Sequence, residues 1–466
     1  MYTCPAGMNI KNIMGKPYPF HEILMEFFRK LESLNVTYCI LGGYEGLPDK
    51  YDSNDIDIVV SEDNILTVSD VLKFVFRDHG SEYYTLNRYK GRLTYLFYFF
   101  ADDGIIEESL KIDLFENFEL RGRVFLTAGE IKNCSVRHNH LNIPSTLHIG
   151  FMAAIKGVLK GGGAWNKYIQ RVKNAIYANR EGMEQLLLRV FFRKTIHILF
   201  FCLNNGDIEE VEAIRKRMIY ETYIKSFLRN PIRFPWNLLS YIWMTMRKVF
   251  NPPKYTIALL GPDGVGKSTL IRHMESHLMG ILKTETNEMK TFHIRPGVFP
   301  TITELLNRKK QPNGKTSVLQ EAWQSPSVII SFIRLLCFWV DYMLGYIVKV
   351  LPELVKYRVV VLDRYFYDIL IDPLRYKIRL PNILMKTLFM SIPRPRIIIV
   401  LDAPPDVIFR RKGELNEENI SVLLDKYRNM KNEYDDVHIF PATDPPEELS
   451  VAVVSAFLKC TATRLS

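Results

Sequence analysis

The stretch GPDGVGKSTL begins at Gly261 and contains the residue types that bind phosphate. Gly261, Gly266, Lys267 and Ser268 satisfy the pattern GxxxxGK[ST], in which glycines let backbone N–H groups turn inward around phosphate oxygens. The apolar segment YTIALL precedes it and a helical pattern follows it, as the motif requires. The sequence therefore predicts a phosphate-binding loop whose following helix points its positive end at the anion.

The side chains in and beyond this loop predict how ATP and Mg²⁺ would be held. Lys267 would reach the β- and γ-phosphates, the Ser268 hydroxyl would ligate Mg²⁺, and Thr269 would lie near the α-phosphate. The run VVVLDRY places Asp363 at the end of a buried strand, where its carboxylate would hold the metal or cap a helix. The other loop residues predicted to contact the nucleotide are Gly261, Pro262, Gly264, Val265 and Gly266.

A second cationic segment lies further along the chain. The run IIIVLDAPPDVIFRRKGELNEE predicts a strand, a turn and a helix that ends in Arg410, Arg411 and Lys412. Cations on a mobile segment beyond such a helix can close over a transferring phosphate. The alternative is a solvated helix end that the helix dipole favours.

Taken in order, residues 255–466 resemble the thymidylate-kinase-like group of P-loop kinases. The matching pieces are GPDGVGKST, HIRPG, DRY, LDAPPDVIFRRKGEL and FPATDPPEEL. The resemblance implies a five-stranded parallel sheet, ATP·Mg²⁺ as donor and a closing lid. It also implies that Asp263 contacts an acceptor hydroxyl, that Arg364 grips the acceptor's phosphate, and that Arg410 and Arg411 are lid cations. Thymidylate kinases usually read REPG where this chain reads IRPG, in a region that would recognise the base.

The front of the chain carries a different constellation of polar residues. Gly42 and Gly43 follow an apolar strand, and Asp55 and Asp57 alternate with isoleucines in DIDIVV. On a strand, residues i and i+2 share a face, so both carboxylates can bind Mg²⁺ together, and LKIDLF adds Asp113 as a third acid. Three carboxylates around two metal ions form the clamp used for nucleotidyl transfer, and the glycines let a triphosphate approach the backbone.

This front pattern resembles the minimal nucleotidyltransferase group, whose members have an hG[GS] turn, a DhDh strand and a later acid. The resemblance implies a nucleotidyltransferase-like α/β fold for residues 1–145 and a substrate among small hydroxyl compounds or nucleic-acid ends. An active enzyme and an inert scaffold both stay open. The nearby cations are either triphosphate ligands or solvated strand edges: Arg88, Arg92, Lys111, Arg121 and Arg123.

Residues 146–250 show helical periodicity, many Lys and Arg residues and no clear strand signal. Within them, Phe234–Phe250 brackets aromatic residues with cations and would either lie on a membrane surface or, as is commoner, pack against a domain. The apolar stretches Leu186–Leu203 and Val328–Leu351 contain charged residues, so buried helices are expected there rather than membrane spans.

The composition narrows the partners and the compartment. A formal net charge of +10 and a pI of about 9.1 favour anionic partners. The six cysteines are dispersed and form no CxxC pair, and the first residues lack the apolar core of a secretory signal, so a cytoplasmic location is expected.

These features divide the chain into a nucleotidyltransferase-like domain (1–145), a basic helical middle (146–250) and a P-loop domain (251–466). The whole order resembles two-part proteins of bacterial surface-polysaccharide loci, which implies a sugar or nucleotide-sugar setting. The leading hypothesis is an ATP·Mg²⁺-dependent phosphotransferase fused to a second, nucleotidyltransferase-like unit. One alternative is a nucleoside-monophosphate kinase with an inert front, and another is an ATP-gated regulatory protein on nucleic acid or membrane.

The partners expected from the leading hypothesis are small. They are ATP and a phosphorylated acceptor, either a nucleotide or a sugar phosphate. No stable nucleic-acid complex is expected, and a peripheral membrane contact and a homodimer stay open.

Overall fold

The computed structural model describes residues 18–161, 165–283, 289–293, 327–412 and 416–465. The described residues form two compact units. The front unit contains residues 18–99, 108–246 and 464–465, and the back unit contains residues 100–107 and 247–463. The helical residues 146–246 therefore belong to the same compact unit as the strands that precede them.

A mixed sheet forms the centre of the front unit. Its strands are β1 (Tyr38–Gly42), β2 (Asp55–Val60), β3 (Tyr83–Tyr89), β4 (Arg92–Phe100), β5 (Ile106–Phe115) and β15 (Thr463–Arg464). Their order is β1–β2–β5–β4–β3–β15, with β2 and β5 parallel and the pairs β1/β2 and β3/β4 antiparallel. The apolar strand before Gly43 and the segments DIDIVV and LKIDLF, which the sequence predicted to carry the acids, lie in β1, β2 and β5. The hairpins β6/β7 (Asn117–Leu120, Arg123–Thr127) and β8/β9 (Ser135–His138, Leu141–Pro144) were not predicted.

Helices cover both faces of this sheet. They are α1 (Phe20–Ser33), α2 (Ile65–Asp78), α3 (Ala128–Asn133), α4 (Thr146–Lys160), α5 (Trp165–Ala178), α6 (Arg180–Leu188), α7 (Arg193–Asn205) and α8 (Ile208–Arg229). Because side chains alternate along β1, Tyr38 and Ile40 pack with α1 and α2, whereas Cys39 and Leu41 pack with α4–α8. The middle helices thus form the second layer on the front sheet. The stretch Leu186–Leu203 lies in α6 and α7 and is largely buried.

The back unit contains the predicted five-stranded parallel sheet. Its strands are β10 (Thr256–Leu260), β11 (Met289–His293), β12 (Val359–Asp363), β13 (Ile397–Asp402) and β14 (Val437–Pro441). They run in the order β11–β12–β10–β13–β14, and every neighbouring pair is parallel. The five predicted strands are confirmed, and the chain is an α/β protein.

Helices also cover both faces of the back sheet. They are α10 (Lys267–Ile281), α11 (Val328–Gly345), α12 (Leu351–Val355), α13 (Tyr367–Ile371), α14 (Asn382–Phe389), α15 (Pro405–Lys412), α16 (Glu417–Glu433) and α17 (Pro446–Thr461). The helices α10 and α17 are joined by a 2.6 Å hydrogen bond between His277 Nδ1 and Ser450 Oγ. A buried cluster on the opposite face joins the strands to α11–α14 and α16. Parallel sheets require this coverage because both of their faces are apolar.

One helical stretch among the described residues, Val328–Val355, is long and apolar enough to cross a membrane by length and composition, with a mean hydropathy of 1.8. Two of its four charged residues, Arg334 and Asp341, are nevertheless buried in the protein. Arg334 donates hydrogen bonds to the carbonyls of Tyr376 and Lys377. Burial of Arg334 and Asp341 favours a helix that packs on the sheet with one side.

Candidate functional sites

The glycine-rich loop folds between the central strand β10 and the helix α10. Gly261, Gly264 and Gly266 have φ angles of 142°, 87° and 114°, a region that residues with a Cβ rarely adopt. The loop therefore depends on glycine for its shape. Such turns direct successive N–H groups into one concavity, and the first turn of α10 follows directly.

Lys267 lies buried across this loop. Its Nζ donates hydrogen bonds to the carbonyls of Gly261 (2.7 Å) and Pro262 (2.9 Å). Burial lowers the pKa of Lys267 to about 8, and the carboxylates of Asp368 and Asp363 oppose that shift. A nearby anion, such as a bound phosphate, would raise the pKa of this ammonium group back towards its ordinary value.

The first turn of α10 also carries the hydroxyls of Ser268 and Thr269. Ser268 is exposed and Thr269 is half-buried, whereas Pro262 and Val265 in the loop are buried. These positions leave the Ser268 hydroxyl accessible at the loop, as a metal ligand would need to be.

Asp363 ends the neighbouring strand β12 and is buried. Its Oδ2 lies 2.6 Å from His293 Nδ1 at the end of β11, and its Oδ1 has no hydrogen-bond partner among the described residues. A buried carboxylate oxygen without a partner is costly and suits a cation or its water shell. From the sequence, His293 was named only within the motif HIRPG and was assigned no role. The parallel register of β11 and β12 places it beside Asp363.

Arg364 and Asp263, which the resemblance assigned to an acceptor's phosphate and hydroxyl, form an ion pair with each other. Arg364 is buried, has a φ of 63° and also donates to Asp368 Oδ2 at 2.9 Å. Arg375 forms a second ion pair with Asp263, and Tyr427 donates to Asp368 Oδ1 at 2.8 Å. The left-handed backbone of Arg364 costs about 1–3 kcal/mol, a type of strain that clusters at ligand sites.

Asp368 is the centre of this charged group. Burial raises the pKa of Asp368, and the neighbouring Arg364 opposes the rise. Asp368, Arg375 and Tyr427 were not singled out from the sequence. Asp368 and Arg375 lie in the run DRYFYDILIDPLRY, whereas Tyr427 comes from the distant α16, for which no local signal exists.

The two arginines predicted as lid cations lie differently on α15. Arg411 Nη1 donates to the Val265 carbonyl of the phosphate loop at 3.2 Å. Arg410 is exposed and forms an ion pair with Asp406 on its own helix. Only Arg411 therefore contacts the loop, and Arg410 lies on the solvent side.

The acids of the front unit lie side by side. Asp57 on β2 is in register with Asp113 on β5 and with Gly42 on β1. The carboxylate oxygens of Asp55, Asp57 and Asp113 all lie within 4.8 Å of one another. Gly43 has a φ of 81°, and an added Cβ would lie 2.2 Å from the Asp55 carbonyl oxygen, so only glycine fits beside these acids.

Each acid of this group has a cationic neighbour. Lys111 Nζ lies 3.6 Å from Asp55, Lys156 Nζ lies 3.2 Å from Asp57, and Arg92 Nη1 lies 3.8 Å from Asp113. The donor set is purely carboxylate oxygen, which suits Mg²⁺ or Mn²⁺. Asp55, Asp57 and Asp113 would together hold such a metal, which would supply positive charge beside a bound phosphate.

Asp113 differs from the other two acids because it is buried. Burial raises the pKa of Asp113, Arg92 opposes that rise, and the hydroxyl of Thr94 donates a hydrogen bond to its carboxylate. A divalent cation would offset the cost of keeping this carboxylate ionised.

The cations near the front motif divide into two groups. Lys111 and Arg92 contact the acids, whereas Arg123 is buried elsewhere. Arg123 donates a hydrogen bond to the Thr222 hydroxyl, and its guanidinium carbon lies 3.9 Å from the ring centre of Tyr223. Lys156 was missed because it lies on α4, beyond the segment that carries the motif, and only the packing of α4 on the sheet places it near Asp57.

Comparison with known proteins adds little to this geometry. No protein-family model matches the chain, and no curated protein matches its sequence. Among solved structures, it is similar to the thymidylate kinase of Ehrlichia chaffeensis, with 16% identity, coverage of 44% of this chain and 98% of that chain, and a TM-score of 0.30. A likeness at that level supports no assignment. The fold and the loop define an α/β protein with a GxxxxGK[ST] loop, and its activity has to be argued from the site.

Proposed function

We propose that the back unit transfers the γ-phosphoryl group of ATP·Mg²⁺ to a small acceptor that itself carries a phosphate. The observation that carries this proposal is the loop from Gly261 to Gly266, folded at the end of the central strand with Lys267 buried across it. Its backbone conformation depends on glycine at three positions, and Lys267 can recover its ordinary basicity by contact with an anion.

The residues on the donor side have distinct roles. Lys267 binds the β- and γ-phosphates, while Ser268 and Asp363 hold Mg²⁺ or its waters. A bound metal ion would supply positive charge that offsets the negative charge of the phosphates. His293 keeps one oxygen of Asp363 occupied, which orients the other towards the metal. Arg411 contacts the loop and would stabilise the charge that develops on the transferring group.

The acceptor site is built from Asp263, Arg364 and Arg375. A phosphorylated acceptor would exchange with the Asp263 ion pairs, because its phosphate can take over both arginines while Asp263 accepts a hydrogen bond from its hydroxyl. Asp368 and Tyr427 hold Arg364 in place during that exchange. A purely regulatory ATP switch would need no such acceptor group, so this cluster favours an enzyme.

We also propose that the front unit is a second, metal-dependent enzyme that transfers a nucleotidyl group. The clustering of Asp55, Asp57 and Asp113 supports this proposal over an inert scaffold. In the reaction, an acceptor hydroxyl oxygen would bond to the α-phosphorus of a nucleoside triphosphate, and pyrophosphate would leave. Tethering both activities in one cytoplasmic protein would raise the local concentration of a shared intermediate.

Phosphate-transfer profiling tests the kinase proposal. The full chain is incubated with ATP·Mg²⁺ and a panel of nucleoside monophosphates, sugars and sugar phosphates, and products are identified by mass spectrometry. We expect transfer to a phosphorylated acceptor. Absence of transfer to every phosphorylated compound would contradict the proposal. A kcat/KM for thymidine monophosphate of about 10⁵ M⁻¹s⁻¹ or above would identify the acceptor as a nucleoside monophosphate.

A further inference from the structure

The helix α9 (Arg233–Phe250) has no buried residue, although more than half of its residues are large and apolar. Five apolar side chains of the front unit follow a spacing of four, three, four and three residues along this part of the chain: Ile232, Trp236, Leu239, Trp243 and Met246. All five are exposed, and the two indoles are 71% and 73% exposed. Exposed apolar faces of this extent mark interaction surfaces.

This apolar face points away from the body of the front unit. Tyr241 lies against Gly122, and Phe234 makes edge contacts with the rings of Tyr223 and Phe227, so these two side chains mark the inner side of the helix. At 3.6 residues per turn, the five exposed residues all lie within about 40° of the direction opposite Tyr241. The inner side therefore contacts the front unit, and the outer side is exposed.

The charge of α9 indicates what that partner is. The helix contains Arg233, Arg247 and Lys248 and no Asp or Glu. Arg233 lies along one edge of the apolar face, and the whole chain carries a net charge of +10. Indole rings beside cations are the pattern of helices that lie in the interface of an anionic membrane.

A second copy of the chain fits this face less well. The four-three spacing suits a helix pair, but the seam of such a pair is normally flanked by opposite charges. The seam of two copies of α9 would be flanked by arginine with no acidic residue to pair with it, so like charges would repel there.

We propose that the outer face of α9 binds the surface of an anionic lipid bilayer, with the helix axis parallel to the membrane. Trp236 and Trp243 enter the headgroup region, and Arg233 contacts the lipid phosphates. This site is independent of both proposed catalytic centres.

The test uses the full chain with vesicles of phosphatidylcholine alone and of phosphatidylcholine mixed with phosphatidylserine. We expect co-sedimentation with the anionic vesicles, a blue shift of tryptophan fluorescence on binding, and weaker binding as salt is raised. Trp236→Ser with Trp243→Ser should weaken partitioning by about tenfold or more. The control Tyr177→Ser removes a similarly exposed aromatic side chain from α5 and should leave vesicle partitioning unchanged.

Three outcomes would overturn the proposal. The first is no binding to anionic vesicles, and the second is equal binding to neutral and anionic vesicles. The third is that the protein binds no vesicles but forms a dimer in solution, and that the double tryptophan variant abolishes this dimer. That result would assign the outer face of α9 to a second copy of the chain. Circular dichroism of the variants distinguishes loss of membrane binding from loss of folded structure. Because both indoles are exposed, the spectra should match that of the natural chain.

Discussion

The back and front sites both gather groups that can bind phosphate and metal, but they are built in different ways. The back site takes its shape from consecutive residues, because the three glycines of the loop fix the backbone around Lys267. The front site takes its shape from strand register, which brings Asp57 and Asp113 together although 56 positions separate them. A site built from local backbone conformation tolerates changes elsewhere, whereas a site built from register depends on the pairing of the two strands that carry its acids.

The largest expected effect is on the locally built site. Lys267→Ala should lower the rate of ATP-dependent transfer by about 10³-fold, because it removes the charge at the β- and γ-phosphates while the glycines keep the loop shape. Initial rates with ATP·Mg²⁺ measure this, and Lys290→Ala on the exposed side of β11 is the matched control. Normal turnover in Lys267→Ala would show that the loop is not the catalytic site.

The next effect separates the two sites from each other. Asp55→Asn with Asp57→Asn should weaken Mn²⁺ binding to the nucleotide-free full chain by at least about 100-fold, since asparagine keeps the shape but loses the charge. The kinase rate should stay unchanged. Calorimetry measures the metal affinity, and Asp63→Asn, an exposed acid just after β2, serves as the control. Unchanged Mn²⁺ affinity would make the front unit a scaffold.

The same contrast explains how far the sequence could predict the molecule. The loop residues, the five parallel strands and the buried end of β12 were predictable because contiguous patterns encode them. His293, Lys156 and Tyr427 were not, because each reaches its site through packing or register that no local pattern records.

The pairing of Arg364 with Asp263 was also beyond the sequence. The resemblance assigned Arg364 to the acceptor's phosphate and Asp263 to its hydroxyl. In the structure the two side chains lie close together and form an ion pair. The helical middle was predicted as helical, yet its role as the second layer of the front sheet depends on which strand faces are left uncovered.

A smaller effect is expected at the acceptor side of the back site. Arg375→Ala should raise the acceptor KM about tenfold and leave the ATP KM unchanged, because a charge-assisted pair to a phosphate contributes about 1.5–3 kcal/mol and Arg364 remains. Steady-state kinetics with each substrate varied in turn measure the split. Arg379→Ala, an exposed arginine four residues on, is the control. Equal damage to both KM values would place Arg375 on the donor side.

For Arg364, the expected change is in stability as well as binding. Arg364→Ala would leave Asp368 buried without its cation, and breaking such a buried pair costs about 3–5 kcal/mol. Arg375 is therefore the sharper probe of acceptor recognition, because it is partly exposed and its ion pair is with Asp263.

The smallest effect tests the charge state of Lys267 directly. Because burial lowers the pKa of this residue to about 8, the chain at pH 8 holds about half a proton there, and a bound triphosphate should raise the pKa and draw in the remainder. ATP binding at pH 8 should thus take up about half a proton, and at pH 6 this contribution should vanish because the lysine is already charged. Calorimetry in buffers of different ionisation enthalpy measures the uptake. Lys267→Arg keeps its charge throughout and should lose the pH 8 contribution. Uptake that persists in Lys267→Arg would assign the proton to another group, and absence of uptake in the natural chain would mean that ATP does not contact the ammonium group.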